Sequence, residues 1–126
     1  MELVKNKPKY WEFIRQLRNM DGVRQGFIQQ EYITQEHHEE YMKKNSHFFW
    51  ICIENNRPIG YTGVIDNDIR VATLPTHQGK GVASFMITEV MKTNPNAFAK
   101  VKLDNKASLR LFESCGFKKK YYIMEK

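Results

Sequence analysis

The sequence predicts a mixed α/β (α+β) fold in which a twisted, mostly antiparallel sheet is flanked by helices. Two helical segments come first in the chain, and segments rich in aromatic and β-branched residues follow them with only short turns between. Helical and strand patterns then alternate up to the C-terminus. The 126 residues have the length of one domain and show no internal repeat or linker, so residues 1–126 are predicted to form a single domain.

Two helices are predicted in the N-terminal third. After Pro8, the segment KYWEFIRQLRN places Trp11, Ile14 and Leu17 at helical spacing, and the segment MDGVRQGF then breaks the helix. Thr34 is in position to cap the second helix, QEHHEEYMKKN, whose acidic residues come early and whose lysines come late. That order of charges matches the helix dipole and supports the assignment.

Three strands are predicted to follow the second helix. The segments HFFWICIEN and IGYTGVID are dense in aromatic and β-branched residues, and the turn sequence NNRP joins them as a hairpin. IRVATL is the third strand, entered through the turn residues Asn67 and Asp68. Because the connections are short, we expect antiparallel pairing.

The C-terminal half is predicted to alternate between helix and strand. Residues 82–92 have the pattern of an amphipathic helix, and AFAKVKL that of a strand. Asn105 is in position to cap the helix KASLRLFES, Gly116 to end it, and FKKKYYIM forms a last strand. The three lysines at 118–120 suit a solvated strand edge better than a nucleic-acid patch.

The composition limits the class of partner. A formal net charge of +6 favours an anionic partner, such as nucleic acid, a membrane surface or a phosphorylated cofactor. Lysines are scattered rather than clustered with aromatic residues, so nucleic acid ranks last. No segment approaches the roughly 18 apolar residues of a membrane span, and no membrane partner is expected. Cys52 and Cys115 lie in apolar segments without metal spacing, which predicts core residues, no metal site and a cytoplasmic location.

The segment LPTHQGKGVASFM carries the clearest functional signal. It does not fit the P-loop motif G-x-x-x-x-G-K-S/T, because Lys80 is followed by Gly81. It fits half of the dinucleotide motif G-x-G-x-x-G, because Ser84 occupies the third glycine position. A third possibility is a strand–loop–helix in which Gly79 and Gly81 let the backbone approach a phosphate and the helix N-terminus adds positive charge. The alternative is a loop that leads into a helix and binds nothing.

Two motifs resemble those of the GCN5-related N-acetyltransferase (GNAT) family, the acetyl-CoA-dependent acyltransferases. The segment QGKGVA at 78–83 resembles the family motif Q/R-x-x-G-x-G/A, and residues 71–75 resemble the end of its fourth strand. The segment NKASLRLFESCGF at 105–117 resembles the second signature, N-x-A-S-x-x-L-Y/F-E-x-x-G-F. The resemblance implies a GNAT-like domain with a strand–glycine loop–helix site for coenzyme A (CoA).

The N-terminal half resembles one branch of that family. LRNMDGVRQGF and ITQEHHEEY are similar to segments of the branch that acetylates amino-sugar nucleotides, where His38 and Tyr41 match a histidine and a tryptophan. Lys100 stands where the peptide-acetylating branch often has a glutamate, which counts against that second branch.

The resemblance implies where acetyl-CoA would bind. Backbone groups of Val71, Ala72 and Thr73 would pair with the pantetheine arm, in a splay between this strand and AFAKVKL. An N–H at or near Thr73 or Leu74 would face the thioester oxygen and stabilise its developing charge. Asn105 would hydrogen-bond the pantetheine, although a plain helix cap explains the same residue. The pyrophosphate would lie on the loop residues Gly79, Lys80, Gly81, Val82, Ala83 and Ser84.

The acid and the base are less well defined. Many family members place a tyrosine, as general acid, at the position of Phe112, which has no proton to donate. His38 is the predicted general base, because the ordinary histidine pKa suits proton transfer near pH 7. The alternative for His38 is an exposed helix histidine without a catalytic role. Weaker candidates are Tyr121 or Tyr122 as the acid, and Glu31, Asp66, Asp68 or a water relay as the base.

The predicted function is transfer of an acetyl group from acetyl-CoA to the primary amine of a small molecule, with an amino-sugar nucleotide as one acceptor. The alternatives are a longer acyl chain, an amino acid, polyamine or protein amine as acceptor, and a non-catalytic CoA-binding regulatory module. A homodimer is a further possibility. Acetyl-CoA is the expected acyl donor.

Overall fold

A computed structural model describes residues Met1–Lys126 as a mixed sheet-and-helix fold, which confirms the predicted fold class. Four strands form one sheet in the order β1-β2-β3-β4, and every neighbouring pair is antiparallel. The strands are β1 (Glu2–Lys5), β2 (Phe49–Glu54), β3 (Arg57–Ile65) and β4 (Asp68–Thr73). The helices are α1 (Pro8–Asn19), α2 (Gln35–Asn45), α3 (Val82–Thr93) and α4 (Lys106–Ser114).

Two-residue turns set the register of the sheet. Asn55 and Asn56 connect β2 to β3, and Asp66 and Asn67 connect β3 to β4, all four with positive φ. Asparagine and aspartate tolerate this left-handed conformation, which suits the twist of a hairpin. The turn before β4 therefore lies one residue earlier than the sequence predicts.

The sheet buries apolar residues on both faces. On one face, α1 and α2 pack against the strands around a core of Ile14, Leu17, Met42, Phe49, Ile51, Tyr61 and Ala72. On the other face, α3 presents Val82, Met86, Ile87 and Val90 at helical spacing, and α4 adds Phe112. Cys52 is fully buried, whereas Cys115 is only half-buried at the end of α4.

Helix caps follow the sequence. The Thr34 hydroxyl accepts a hydrogen bond from the His37 N–H at 3.3 Å, and Asn105 caps α4 in the same way. Gly116 ends α4 with a φ of 92°, a conformation that favours glycine. These ends of α2 and α4 are confirmed.

Two predicted strands do not form. Residues 97–101 of AFAKVKL alternate between half-buried and exposed positions as a strand would, but Val101 and Lys102 are both half-buried, and only Phe98 forms a bridge, parallel to Asp68. Past Phe98 the chain makes no further strand-pairing hydrogen bonds, so the segment has the pattern of a strand but does not pair with β4. The segment FKKKYYIM is also not a strand, and it leaves Tyr121 and Tyr122 exposed.

One strand was missed. β1 has only four residues, ELVK, and charged residues occupy both of its ends. It pairs with β2 from Glu2–Ile53 to Lys5–Trp50. A pattern this short carries almost no strand signal, so its pairing depends on the exposed edge that β2 offers.

None of the helices is both long enough and apolar enough to cross a membrane.

Candidate functional site

A cleft of about 910 Å³ runs along the free edge of β4. One wall comes from the end of α1 and residues 22–29, and another comes from residues 77–84 at the start of α3. Lys100, Val101 and one face of α4 complete the lining. Nearly every segment singled out in the second half of the sequence therefore meets in one place.

The exposed edge of β4 presents unpaired main-chain groups to this cleft. The Leu74 N–H donates to the Ile59 carbonyl at 2.9 Å, so Leu74 is paired with β3. Because antiparallel pairing alternates along a strand, Thr73 and Val71 direct their N–H and C=O groups away from β3. The Ile69 N–H also points outward, where it donates to the Phe98 carbonyl at 2.8 Å. Beyond that bond, the edge of β4 is free.

The gap beside β4 opens after Phe98. Phe98 is hydrogen-bonded to the residues on either side of Asp68: its carbonyl accepts from the Ile69 N–H, and its N–H donates to the Asn67 carbonyl. Two and three residues later, Lys100 and Val101 lie on the opposite side of the cleft from Val71. The predicted splay between β4 and AFAKVKL thus exists as a gap, although its second side is not a strand.

The glycine loop, residues 78–81, turns the chain from β4 into α3. Gly79 and Gly81 have φ values of 77° and 81°, in the left-handed region that favours glycine. Gly81 is the N-cap of α3, and no side chain caps this end. The first carbonyl to accept a helical hydrogen bond is that of Gly81, from the Phe85 N–H at 3.0 Å. The three N–H groups at 82–84 are therefore left without a main-chain acceptor.

These free N–H groups make the loop a suitable anion site. The end of α3 carries a partial positive charge, and no carboxylate occupies it. All the predicted cofactor-binding residues line the cleft except Lys80, which is exposed outside it: Val71, Ala72, Thr73, Gly79, Gly81, Val82, Ala83, Ser84 and Asn105.

Thr73 supplies a second indication that the cleft takes a polar ligand. Its hydroxyl Oγ1 is buried and has no hydrogen-bond partner, although a buried hydroxyl without a partner costs about 1–3 kcal/mol. Its carbonyl accepts only a long hydrogen bond, 3.4 Å, from the Gln78 side chain. The residues present thus fit a pantetheine arm and a pyrophosphate, which offer acceptors and donors along this line.

Asn105 joins two walls of the cleft. Its Oδ1 accepts from the Ser108 N–H at 3.1 Å, which caps α4, and its Nδ2 donates to the Gly26 carbonyl at 3.1 Å. The side chain therefore acts as a cap and also holds residues 22–29 against α4.

Phe112 is buried at the base of the cleft. Its ring packs edge-on against Phe117, with the centroids 5.1 Å apart, and it is 6% exposed. It is nevertheless one of the residues that line the cleft. Tyr121 and Tyr122, the alternative acids, are 89% and 81% exposed and lie outside it.

His38 is neither exposed nor on the cleft. Its ring is buried on α2, and Nε2 lies 2.7 Å from the Trp11 carbonyl of α1, to which the neutral ring donates. Burial is the main cause that lowers the pKa of His38 below its ordinary value of 6.5. The alternative of an exposed histidine is wrong, and the general-base role stays a prediction that this position does not favour.

Asp68 is the one carboxylate on the cleft lining. It lies at the start of β4, and burial raises the pKa of its carboxyl above the ordinary value. Glu31 and Asp66, the other candidate bases, are exposed residues outside the lining.

One wall of the cleft, the arginine wall, carries little signal in the sequence. This arginine wall consists of Arg18, Phe27, Gln29 and Arg70, which come from α1, the following loop and β4. Its one sequence signal was that Arg18 lies in LRNMDGVRQGF, the stretch that resembles the amino-sugar branch. Side chains gathered from three separate segments leave only a partial local motif.

Comparison with known proteins agrees with these features. The model of the Acetyltransferase (GNAT) family matches residues 11–117. No curated protein matches the chain.

Several solved structures share the fold. A domain from Methanocaldococcus jannaschii DSM 2661 superposes with a TM-score of 0.82 at 25% identity, covering 94% of this chain and 88% of its own. Spermidine N-acetyltransferase from Vibrio cholerae, solved with CoA and spermine, gives 0.84 at 22% identity, covering 99% and 85%. A Salmonella typhimurium protein solved with its cofactor acetyl-CoA gives 0.79 at 18% identity, covering 93% and 79%.

Proposed function

The chain belongs to the GNAT acetyltransferase family, and from this premise we infer that it transfers an acetyl group from acetyl-CoA to the primary amine of a small molecule. The observation that carries the inference is the continuity of one cleft. The free N–H groups at the start of α3 and the free edge of β4 lie side by side along it. A ligand with a pyrophosphate at one end and amide groups along its length suits both.

The cofactor end of the cleft would bind acetyl-CoA through main-chain groups. In this proposal the N–H groups at 82–84 and the glycine loop hold the pyrophosphate, and Val71 and Thr73 hydrogen-bond the pantetheine arm. Acetyl-CoA supplies an activated acyl group as a thioester. Because the Leu74 N–H is already bonded to Ile59, the N–H of Thr73 is the better candidate to face the thioester oxygen.

The amine must lose a proton before it attacks. Asp68 is the carboxylate that lines the cleft, and burial raises its pKa toward the range of a useful base. It lies at the other end of β4 from Thr73, roughly 17 Å along the strand, so it would act on the amine through a chain of water. His38 remains the other prediction, and from its buried position it would have to act through an intermediary. No tyrosine takes the place of the general acid at Phe112, so a CoA thiolate would leave unaided, as its pKa of roughly 8.5 permits.

The acceptor is an amine of a small molecule, and an amino-sugar nucleotide is the candidate that the N-terminal resemblance favours. Its diphosphate is anionic, which suits a cleft lined by more basic than acidic side chains. A polyamine, as in the Vibrio cholerae structure with spermine, suits that charge poorly. Amino acids and protein amines remain alternatives. A cytoplasmic location and a homodimer also stay predictions.

Calorimetry and thiol release test the proposal together. We expect acetyl-CoA to bind with a Kd on the order of micromolar, and free CoA thiol to appear when a suitable amine is added. Absence of heat with both acetyl-CoA and CoA at millimolar concentration would contradict the proposal. Binding without thiol release over a broad amine panel would favour the non-catalytic CoA-binding module instead.

A further inference from the structure

We propose that the acceptor amine also carries an anionic oxygen group, a carboxylate or a phosphate, and that Arg18 on the arginine wall binds this group. The inference rests on the proposed function and narrows its substrate class. It depends on four features of Arg18: its fixed orientation, its spare donor, the missing counter-ion and its place relative to β4, where the acetyl group is predicted to lie.

The guanidinium of Arg18 is held in place with one donor unused. Its Cζ lies 3.8 Å from the centre of the Phe27 ring, and Nη2 donates to the Gln29 carbonyl. Nη1 is buried and has no hydrogen-bond partner. A buried charged donor without an acceptor is costly, so a ligand acceptor at this point would bind strongly. Arg18 also lines the cleft, so a small shift of its side chain would present Nη1 to a ligand acceptor there.

The arginine wall has no ion-pair partner in the protein. The ion pairs of the chain are Arg15–Glu12, Lys92–Glu89 and Lys102–Asp104, and none of them includes Arg18 or Arg70. The cleft lining carries four basic side chains and a single carboxylate: Arg18, Arg70, Lys100 and Arg110 against Asp68. This balance attracts an anion and repels a polycation such as spermidine.

The anion site lies next to the predicted reaction centre. Burial raises the pKa of Tyr61 to about 12, and the charges of Arg18 and Arg70, which both act on its hydroxyl, oppose that rise. Tyr61 faces Ala72 across the β3–β4 ladder, and Ala72 precedes Thr73. Arg70 and Ala72 share one face of β4, about 7 Å apart along the strand. An anion on Arg18 would therefore place the amine along this part of β4, which leads to Thr73.

Paired acceptors that differ only in the anion test this inference. We would measure thiol release from acetyl-CoA with the common amino acids and their carboxamides, with glucosamine 6-phosphate and glucosamine, and with spermidine. We expect the anionic member of at least one pair to have a kcat/KM about 10-fold or more above its neutral partner. The pair that responds identifies the anion as carboxylate or phosphate.

Arg18→Met supplies the matching variant, with Arg57→Met as control because Arg57 is exposed on the β2–β3 hairpin outside the cleft. We expect Arg18→Met to lower kcat/KM about 10–100-fold for the anionic acceptor and clearly less for its neutral partner. Arg57→Met should change neither. Arg18→Lys keeps the charge if Arg18→Met proves unstable, and it should show a smaller loss because it lacks the planar fork.

The outcomes separate this inference from the proposed function. Equal or better turnover of amides, glucosamine or spermidine overturns the anionic acceptor and leaves the acetyltransferase intact. The anionic acceptor is also overturned if acetyl-CoA binds but no acceptor of the panel causes thiol release. Absence of acetyl-CoA binding in calorimetry contradicts the proposed function itself, and that measurement needs no acceptor.

Discussion

The glycine loop presents main-chain N–H groups to the cleft, whereas the arginine wall presents side chains. The loop needs only two left-handed glycines and a helix start, all within a few consecutive residues. The wall needs Arg18, Phe27 and Arg70, which are separated by up to 52 positions in the sequence numbering and meet only after folding. The backbone-built site therefore leaves a complete local motif, whereas the side-chain-built site leaves only a partial one, the segment LRNMDGVRQGF that contains Arg18 and Phe27.

The largest expected effect comes from blocking the backbone-built end with Gly81→Val. A β-branched residue resists the φ of 81° and places methyl groups beside the free N–H groups at 82–84. We expect CoA affinity to fall about 100-fold or more, because several charge-assisted hydrogen bonds are lost together. Calorimetry with CoA measures the loss.

Gly116→Val is the matched control for this change. Gly116 has a φ of 92° and nothing within 4 Å of an added Cβ, like Gly81, but it lies at the end of α4 outside the cleft. Both variants should lose about 1–3 kcal/mol of stability from backbone strain, and only Gly81→Val should lose CoA. Normal CoA binding by Gly81→Val would make the glycine loop a plain structural turn.

The same contrast explains how much of the fold could be predicted. Helices α1 to α4 and the β2–β3 hairpin carry their signals in local patterns and caps, and all were found. β1 and residues 97–103 depend on which edge is available for pairing, which no local pattern specifies. Phe98 pairs with β4 and its neighbours do not, although residues 97–101 alternate like a strand. Pairing partners are a property of the assembled sheet.

The residues of the candidate site also differ in whether a local sequence pattern could predict their place. The motif residues were predicted together and lie together on the cleft, apart from Lys80. His38 was chosen for its chemistry, but the α1–α2 contact that buries it could not be inferred from a helix rich in charged residues. Asn105 was predicted to be either a cap or a ligand residue. Its bond to Gly26 depends on a loop 79 residues away in sequence.

His38→Ala tests the packing between α1 and α2. It leaves the Trp11 carbonyl without its donor, so we expect a loss of about 1–3 kcal/mol at pH 7.5. His37→Ala is the control, because His37 is exposed one position earlier on α2 and should change stability by less than about 0.5 kcal/mol. Urea unfolding measures both.

The pH dependence distinguishes the two roles of His38. Its folded pKa lies below 6.5, so the unfolded chain binds the proton first as the pH falls. The wild type should hold its full stability above pH 6.5 and lose stability below it, toward the lowered folded pKa, and His38→Ala should lose part of that slope. We expect the pH–rate profile of the variant to keep its shape. A flattened rise of rate near neutral pH would instead support His38 as the general base.

Asn105→Ala tests the hydrogen bond by which Asn105 joins α4 to residues 22–29. Loss of the α4 cap should cost about 0.5–2 kcal/mol, measured by urea unfolding. Asn105→Asp keeps the cap but cannot donate to the Gly26 carbonyl. We expect both variants to lower turnover, because both lose the hydrogen bond to Gly26. Only Asn105→Ala should also lose the free energy that the α4 cap contributes. Full activity of Asn105→Asp would show that the bond to Gly26 has no functional weight.

Phe112→Tyr should have the smallest effect of these changes, and it tests whether the ring of Phe112 faces the cleft. The ring is buried against Phe117 yet lines the cleft, so the change keeps the packing and adds one hydroxyl there. Where that hydroxyl faces the cleft, water or ligand satisfies it, so we expect little change in melting temperature. Turnover should stay the same or rise, because general-acid help contributes at most about 10²–10⁴-fold. Melting temperature and thiol release are measured on the same preparation.

A stability loss of about 1–3 kcal/mol with unchanged CoA binding and rate would place the para position of the ring in the dry core between α3 and α4. Phe112 would then contribute to packing alone, and the acid would have to be sought on another element of the cleft.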